Sequence, residues 1–244
     1  RIQEAATAMV KRTVEISAPA GSSVTGVVTN PEQCRPGVTP GLVVAHGRAN
    51  DLSQPLLVFV TEFLANQEVA SSLRFNFPYA ERGSATPDRP AVLEATFRRA
   101  HDTLADDAVC PPGAVLLGGK SMGARIAAEL VSKGPEAEGL LTAGLIFLGF
   151  PLHAAGGKNR PGLEPLRRIN VPSLFVAGTR DPFADPDLLQ RTVAGLDVPG
   201  ILHVVEGADH SFHMPSSTRV PQEEVFRGIA ERIAEFIRSL SALG

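Results

Sequence analysis

Two runs near the start of the chain alternate apolar and polar side chains: residues 12–18 (Arg-Thr-Val-Glu-Ile-Ser-Ala) and 23–29 (Ser-Val-Thr-Gly-Val-Val-Thr). Period-two alternation marks strands with one covered face, and the intervening Pro19-Ala-Gly-Ser22 is turn chemistry, so the pair predicts an antiparallel hairpin. Beyond a proline-containing stretch at residues 30–41 the pattern changes. Leu42-Val-Val-Ala-His46 is an apolar run, the mark of a parallel strand covered on both faces. Similar runs recur at residues 72–77, 113–117, 143–149, 172–178 and 201–205. Helical stretches separate them at residues 55–67, 91–106, 124–131 and 185–195, while residues 78–90 read as a polar loop. In the last stretch, Val225, Ile229, Ile233, Phe236, Ile237 and Leu240 recur at helical spacing on one face. A hairpin followed by strand–helix units predicts an α/β fold with a mostly parallel central sheet and helices on both faces. The segment from Phe150 to Val171, about twenty residues rich in Gly and Pro, is too short for a large lid domain.

Composition narrows this picture. At 244 residues the chain has the length of one domain, residues 1–244, with a substantial core. A net charge of -3, 5% aromatic residues and no Trp argue against a nucleic-acid partner. Cys34 and Cys110 form neither a disulfide framework nor a metal set, and are expected to be free thiols in a reducing, cytoplasmic setting. The first residues hold no signal-peptide core, although the chain does not begin with Met and a removed leader stays open. The most apolar region, Gly139 to Leu152, is too short and interrupted to span a membrane, so no membrane association is expected.

The candidate chemistry centres on Gly119-Lys-Ser-Met-Gly123, which matches G-x-S-x-G between a strand-like run and an Ala-rich helical run. That is the setting of a nucleophile elbow, where a serine sits on a strained strand-to-helix turn. Gly-Lys-Ser also ends a phosphate-binding P-loop, but G-x-x-x-x-G-K-[ST] requires glycine at position 114, which is alanine. A serine hydroxyl needs a base, and the base needs an orienting acid. Asp181, after a late strand, and His210, after the last strand, supply these in the order nucleophile, acid, histidine. His213 competes with His210, and Asp185 and Asp187 with Asp181, but His210 is nearer its strand end and both other aspartates fall at the following helix. The backbone N–H groups of Met122 and, after an early strand, Arg48 are the expected oxyanion donors.

Five blocks, Gly118–Arg125, Arg74–Gly83, Phe147–His153, Gly178–Phe183 and Val205–Phe212, together resemble the dienelactone-hydrolase-related branch of α/β-hydrolases. Within it, the chain is most similar to the bacterial relatives of the testis-expressed-thirty and NSL-complex-subunit-three proteins. The resemblance implies a serine-type hydrolase with the triad above. Dienelactone hydrolases carry cysteine at the elbow, whereas this chain has Ser121, and Arg48-Ala-Asn replaces the small Ala/Gly-rich oxyanion turn of the group.

Gly47, Asn76, Tyr79, Lys120 and His153 are candidate substrate contacts, with Glu81 as a partner for Lys120. Arg48, Arg82 and Arg180 are candidates for a positive rim, and Arg125 for a structural role. The resulting expectation is a serine hydrolase of small to medium carboxylic esters, with thioesters and lactones within reach of the same chemistry. Its partner is a small-molecule ester, its assembly a monomer or homodimer, and no metal or organic cofactor is implied. The rival expectation is a non-catalytic protein-interaction module that retains the fold.

Overall fold

The computed structural model describes residues 9–134, 139–153, 163–198 and 200–241. Eight strands form one sheet in the order β1-β2-β4-β3-β5-β6-β7-β8. The hairpin is β1 (Val10–Ser17) and β2 (Ser23–Asn30), paired antiparallel from Val10↔Asn30 to Ser17↔Ser23. β2 also runs antiparallel to β4 (Ser71–Phe75). From β4 onward every pairing is parallel, through β3 (Gly41–Ala45), β5 (Val115–Lys120), β6 (Leu145–Leu148), β7 (Ser173–Gly178) and β8 (Gly200–Val205).

The apolar runs are central strands for the expected reason. Every residue of β3, β4, β6 and β7 is buried, because both faces of the sheet are covered. On one face pack α3 (Pro90–Ala105), α4 (Met122–Ser132) and α6 (Pro186–Ala194), with Phe75, Phe97, Phe147 and Phe175 in the shared core. On the other pack α1 (Pro55–Asn66) and α7 (Gln222–Ser241), through Leu57, Leu64, Ile229, Ile233 and Ile237.

Two local expectations need correcting. Strand β4 ends at Phe75 rather than Phe77: Asn76 N–H still bonds the Thr25 carbonyl of β2, but Phe77 N–H donates to the His46 ring instead of to a strand carbonyl. The stretch read as a polar loop opens with a short helix, α2 (Pro78–Glu81). Pro78 has no N–H to lose at a first helical position, and extended Phe77 (φ -71°, ψ 154°) precedes it as proline demands. Of the segment expected to lack a lid, residues 154–162 lie outside the described residues, and Leu163–Leu166 form a single helical turn, α5.

The free-thiol expectation is overturned: Cys34 and Cys110 form a disulfide, with Cα atoms 6.3 Å apart. They are separated by 76 residues in sequence, yet β3 and β5 are adjacent parallel strands, so the loops that enter them lie side by side. Gly37 N–H donates to the Pro111 carbonyl and Gly41 N–H to that of Ala114 across the same seam. A cytoplasmic setting, inferred from free thiols, loses that support. No helix among the described residues is long and apolar enough to cross a membrane.

Candidate active site

The serine of the elbow is held in an unusual backbone conformation. Between the end of β5 at Lys120 and the start of α4 at Met122, Ser121 adopts φ 53° and ψ -110°. A non-glycine residue there costs on the order of 1–3 kcal/mol and persists only where its surroundings dictate it. They do so from both sides. Ser121 N–H donates to the Leu148 carbonyl of β6 at 3.0 Å, and the Ser121 carbonyl accepts from Arg125 N–H at 3.1 Å in the first turn of α4. Behind the turn, α4 buries Ile126, Ala127 and Leu130 in the core. Gly123 is needed for the turn to close: a Cβ there would lie 2.5 Å from the Ala45 carbonyl oxygen.

Asp181 and His210 arrive from the next two strands. Gly178 ends β7, and a Cβ on it would lie 2.2 Å from the Ala208 oxygen. The missing side chain lets the loop after β8 cross the end of β7 and lay His210 over Asp181. His210 Nδ1 is 2.7 Å from Asp181 Oδ2, and His210 Nε2 is 2.9 Å from Ser121 Oγ. An ionised carboxylate only accepts, so Nδ1–H is the donor to Asp181, which leaves Nε2 to accept from the serine hydroxyl. The other carboxylate oxygen accepts Phe183 N–H at 2.8 Å, and the Asp181 side chain is wholly buried. The Phe183 ring packs against the imidazole with centroids 4.6 Å apart. The competing residues lie elsewhere: His213 is exposed beside Asp209, Asp185 caps α6 by accepting Leu188 N–H, and Asp187 lies in the first turn of that helix.

A second constellation stands across from the serine at the end of β3. Gly47 lies beside it, since a Cβ on Gly47 would be 3.5 Å from Ser121 Cβ. Its carbonyl oxygen is bound by His46 Nδ1 at 2.8 Å and by the Tyr79 hydroxyl at 3.2 Å. His46 Nε2 accepts Phe77 N–H at 3.1 Å, so the ring proton is on Nδ1 and is donated to Gly47. Burial holds His46 below its usual proton affinity, outweighing the opposite pull of that bond, and keeps it neutral. Burial also pushes the Tyr79 hydroxyl up to about 12, so it stays a donor. In a trans peptide the N–H points opposite the carbonyl. With its oxygen held from behind, the Gly47–Arg48 unit turns the Arg48 N–H outward. Neither that N–H nor the Met122 N–H at the start of α4 donates to an acceptor among the described residues.

In the sequence His46 is only the end of an apolar run, and its pairing with Phe77 depends on β3 and β4 being neighbours. Tyr79 sits near the serine but has no exposed surface for a substrate to touch, so it supports the Gly47 peptide instead. Asn76 is also occupied, accepting Leu52 N–H and donating to Glu81. Glu81 is not the partner of Lys120, because Thr25 of β2 and Asn76 take both its oxygens. Lys120 is only 3% exposed, which removes it as a substrate contact. His153 accepts Asp185 N–H and is half-buried. Of the arginines, Arg48 is exposed, Arg82 is paired with Asp88, Arg180 reaches the Gly207 carbonyl and Arg125 pairs with Glu129 within α4. Among the described residues no group of three His, Cys, Asp or Glu side chains could hold a metal ion.

The fold has counterparts. An uncharacterized protein of Mycobacterium tuberculosis is 26% identical over 206 residues, covering 80% of this chain and 71% of that protein. The chain also superposes on solved structures. The dienelactone hydrolase from Anabaena variabilis gives a TM-score of 0.71 at 17% identity, over 95% of this chain and 98% of that one. The Pyrococcus furiosus esterase Pf2001 gives 0.70 at 17% identity, over 96% and 93%. Residues 39–238 match the family described as alpha/beta hydrolase domain, a span that holds the elbow, Asp181, His210 and the Gly47 turn. The chain belongs to the alpha/beta hydrolase domain family.

Proposed function

We propose that the protein is a serine hydrolase that cleaves small to medium carboxylic esters through an acyl-enzyme. The observation that carries this is the unbroken hydrogen-bond chain from Asp181 through His210 to a strained Ser121. Esterase and dienelactone hydrolase neighbours support the class, and Ser121 in place of cysteine favours ordinary esters over the lactone. Within the family we place the chain beside the bacterial relatives of the testis-expressed-thirty and NSL-complex-subunit-three proteins, on the five sequence blocks described above.

Ser121 Oγ attacks the ester carbonyl as its proton passes to His210 Nε2. The resulting imidazolium is stabilised by Asp181, which remains ionised and holds the ring by Nδ1–H. Negative charge moving to the carbonyl oxygen is met by the N–H groups of Met122 and Arg48. The first also carries the positive end of the α4 dipole, and the second is held in place by His46 and Tyr79. Collapse of the tetrahedral intermediate expels the alcohol, which takes the proton from His210. Water then attacks the acyl-enzyme by the same route, with His210 again as base. Thioesters and lactones pass through the same oxyanion.

The test is hydrolysis of p-nitrophenyl esters from acetate to octanoate by the wild type and by Ser121→Ala. The expected result is turnover with a short- to medium-chain optimum that falls by at least about 10⁴-fold in the variant. Wild-type turnover that survives the substitution contradicts the assignment of Ser121. No turnover of any ester by the wild type favours the non-catalytic module.

A further inference from the structure

Arg74 carries a buried charge to which the chemistry above gives no task. It lies in β4 between Val27 of β2 and Val44 of β3 and is only 6% exposed. It forms no ion pair among the described residues, and Glu62, whose carboxylate acts on it electrostatically, is bonded to Lys11 Nζ at 2.5 Å. A guanidinium buried without a carboxylate is costlier than an apolar side chain in the same place, so the reason for it is sought in the bonds it makes. Thr61 of α1 donates its hydroxyl to the Leu57 carbonyl at 2.9 Å and accepts Arg74 Nε–H at 3.2 Å, which fixes the plane of the guanidinium. Arg74 Nη1 then donates to the Leu52 carbonyl at 2.9 Å. Two residues on, Asn76 Oδ1 accepts Leu52 N–H at 2.8 Å. Both backbone polar groups of Leu52 are thus taken by side chains from the end of β4.

Leu52 belongs to the loop between β3 and α1, which carries the Arg48 N–H. That loop is bound to its surroundings at two points. At its start the Gly47 carbonyl is held by His46 and Tyr79, and at its far end Leu52 is held by Arg74 and Asn76. The residues between, Arg48 to Asp51, are exposed and make no hydrogen bond to another element among the described residues. Asn50 Nδ2 reaches only the Arg48 carbonyl, at 3.3 Å. Within this span Ala49 is left-handed, at φ +56°, a conformation that costs an alanine and that an exposed loop relaxes when one end is released. Bonds to the Gly47 oxygen alone let the Gly47–Arg48 peptide unit tilt about them. The direction of its N–H is fixed only when the chain beyond it is fixed as well.

Resting on the serine-hydrolase reading, we infer that Arg74 is a positioning residue which, with Asn76, clamps Leu52 and so aims the Arg48 N–H at the oxyanion. It touches neither substrate nor the reacting atoms. Its effect passes from Thr61 through the guanidinium to Leu52, and along the strained loop to Arg48. Releasing the clamp should leave the ester bound as before and weaken only the hold on the charge that develops during reaction.

The experiment compares p-nitrophenyl ester kinetics, inhibition by a trifluoromethyl ketone (whose serine adduct bears the oxyanion) and amide hydrogen exchange in the wild type, Arg74→Met, Arg74→Lys and Thr61→Val. In Arg74→Met kcat should fall about ten- to a hundredfold with KM within about twofold, and ketone affinity should fall by the same factor. Exchange should quicken over residues 46–54 and stay unchanged over residues 122–132. Arg74→Lys keeps a donor for the Leu52 carbonyl and should recover part of kcat. Thr61→Val frees the guanidinium without removing it and should lower kcat about three- to fivefold. Unchanged kcat and ketone affinity in a folded Arg74→Met overturn the inference. Exchange that quickens equally over both segments also overturns it, since that is general loosening. Should Arg74→Met not fold, Thr61→Val decides by the same readings. A wild type that neither turns over esters nor takes up a fluorophosphonate defeats the hydrolase reading, and the positioning role falls with it. An active wild type with an indifferent variant defeats the role alone.

Discussion

At the amino-terminal edge of the parallel strands, the buried carboxylate of Asp107 takes three donors. Arg12 Nη2 lies at 2.5 Å, Cys110 N–H at 3.0 Å and Asn30 Nδ2 at 3.4 Å, and the Cys34–Cys110 bridge closes the same corner. At the opposite edge the polar groups are left with capacity to spare. The N–H groups of Arg48 and Met122 are unused by the described residues, Ser121 is strained, and the Lys120 ammonium has no carboxylate in contact. A carboxylate so saturated holds a fold together and does little else. Groups with unspent donors and stored strain are poised to act on something that is not yet there. The two edges thus separate what stabilises this molecule from what it offers a substrate.

Substitutions that touch one edge should leave the other unchanged. The largest effect is expected for Asp181→Asn, which keeps the shape of the site but lets the imidazole adopt the wrong tautomer. Ester turnover should fall by about 10⁴-fold with the melting temperature little changed. Retention of most activity would remove Asp181 from the chemistry. Replacing both Cys34 and Cys110 with Ser opens a loop of 76 residues and should cost about 2–4 kcal/mol in urea unfolding, with kcat unaltered. A large loss of kcat in the folded double variant would show that the edges are coupled.

Lys120→Met should act in the opposite sense on stability. Below its unfolded value of 10.5 and down to about 8, the unfolded chain binds a proton that the folded chain does not, so stability rises with pH across that window. Below pH 8 the folded protein carries the full burial cost, and removing the amine should stabilise it by about 2–3 kcal/mol at pH 7. The advantage should shrink to nothing above pH 10.5 in paired unfolding curves. An advantage independent of pH would mean that packing rather than charge is responsible. The smallest effect is expected for Tyr79→Phe, which deletes one of the two donors on the Gly47 carbonyl and should lower kcat about five- to tenfold with KM nearly unchanged. A change in KM alone would return Tyr79 to substrate binding.

What could be read along the chain was local. The hydrophobic patterns mark the hairpin, the central strands and the face of α7, because the burial of each residue follows the period of its own element. The positions of Ser121, Asp181 and His210 at strand ends were legible for the same reason, since a strand, a turn and a helix follow one another in sequence. What depended on strand order was not. The bridge between Cys34 and Cys110 requires β3 to lie beside β5, and the His46 bond to Phe77 requires β3 beside β4. Glu81 was given to Lys120 because both are charged and near the site. The antiparallel pairing of β2 with β4 brings Thr25 to Glu81 first. The helix Pro78–Glu81 was legible in its proline, but its polar surroundings pointed to a loop.

The most direct test of the central claim is intact-mass and peptide-mapping mass spectrometry after treatment with a fluorophosphonate probe. The reagent reacts with a serine only where a base and an oxyanion site act together on it. The account predicts one adduct, on Ser121, absent in Ser121→Ala and strongly slowed in His210→Ala. A folded wild-type protein that takes up no probe, or takes it up on another residue, would contradict it.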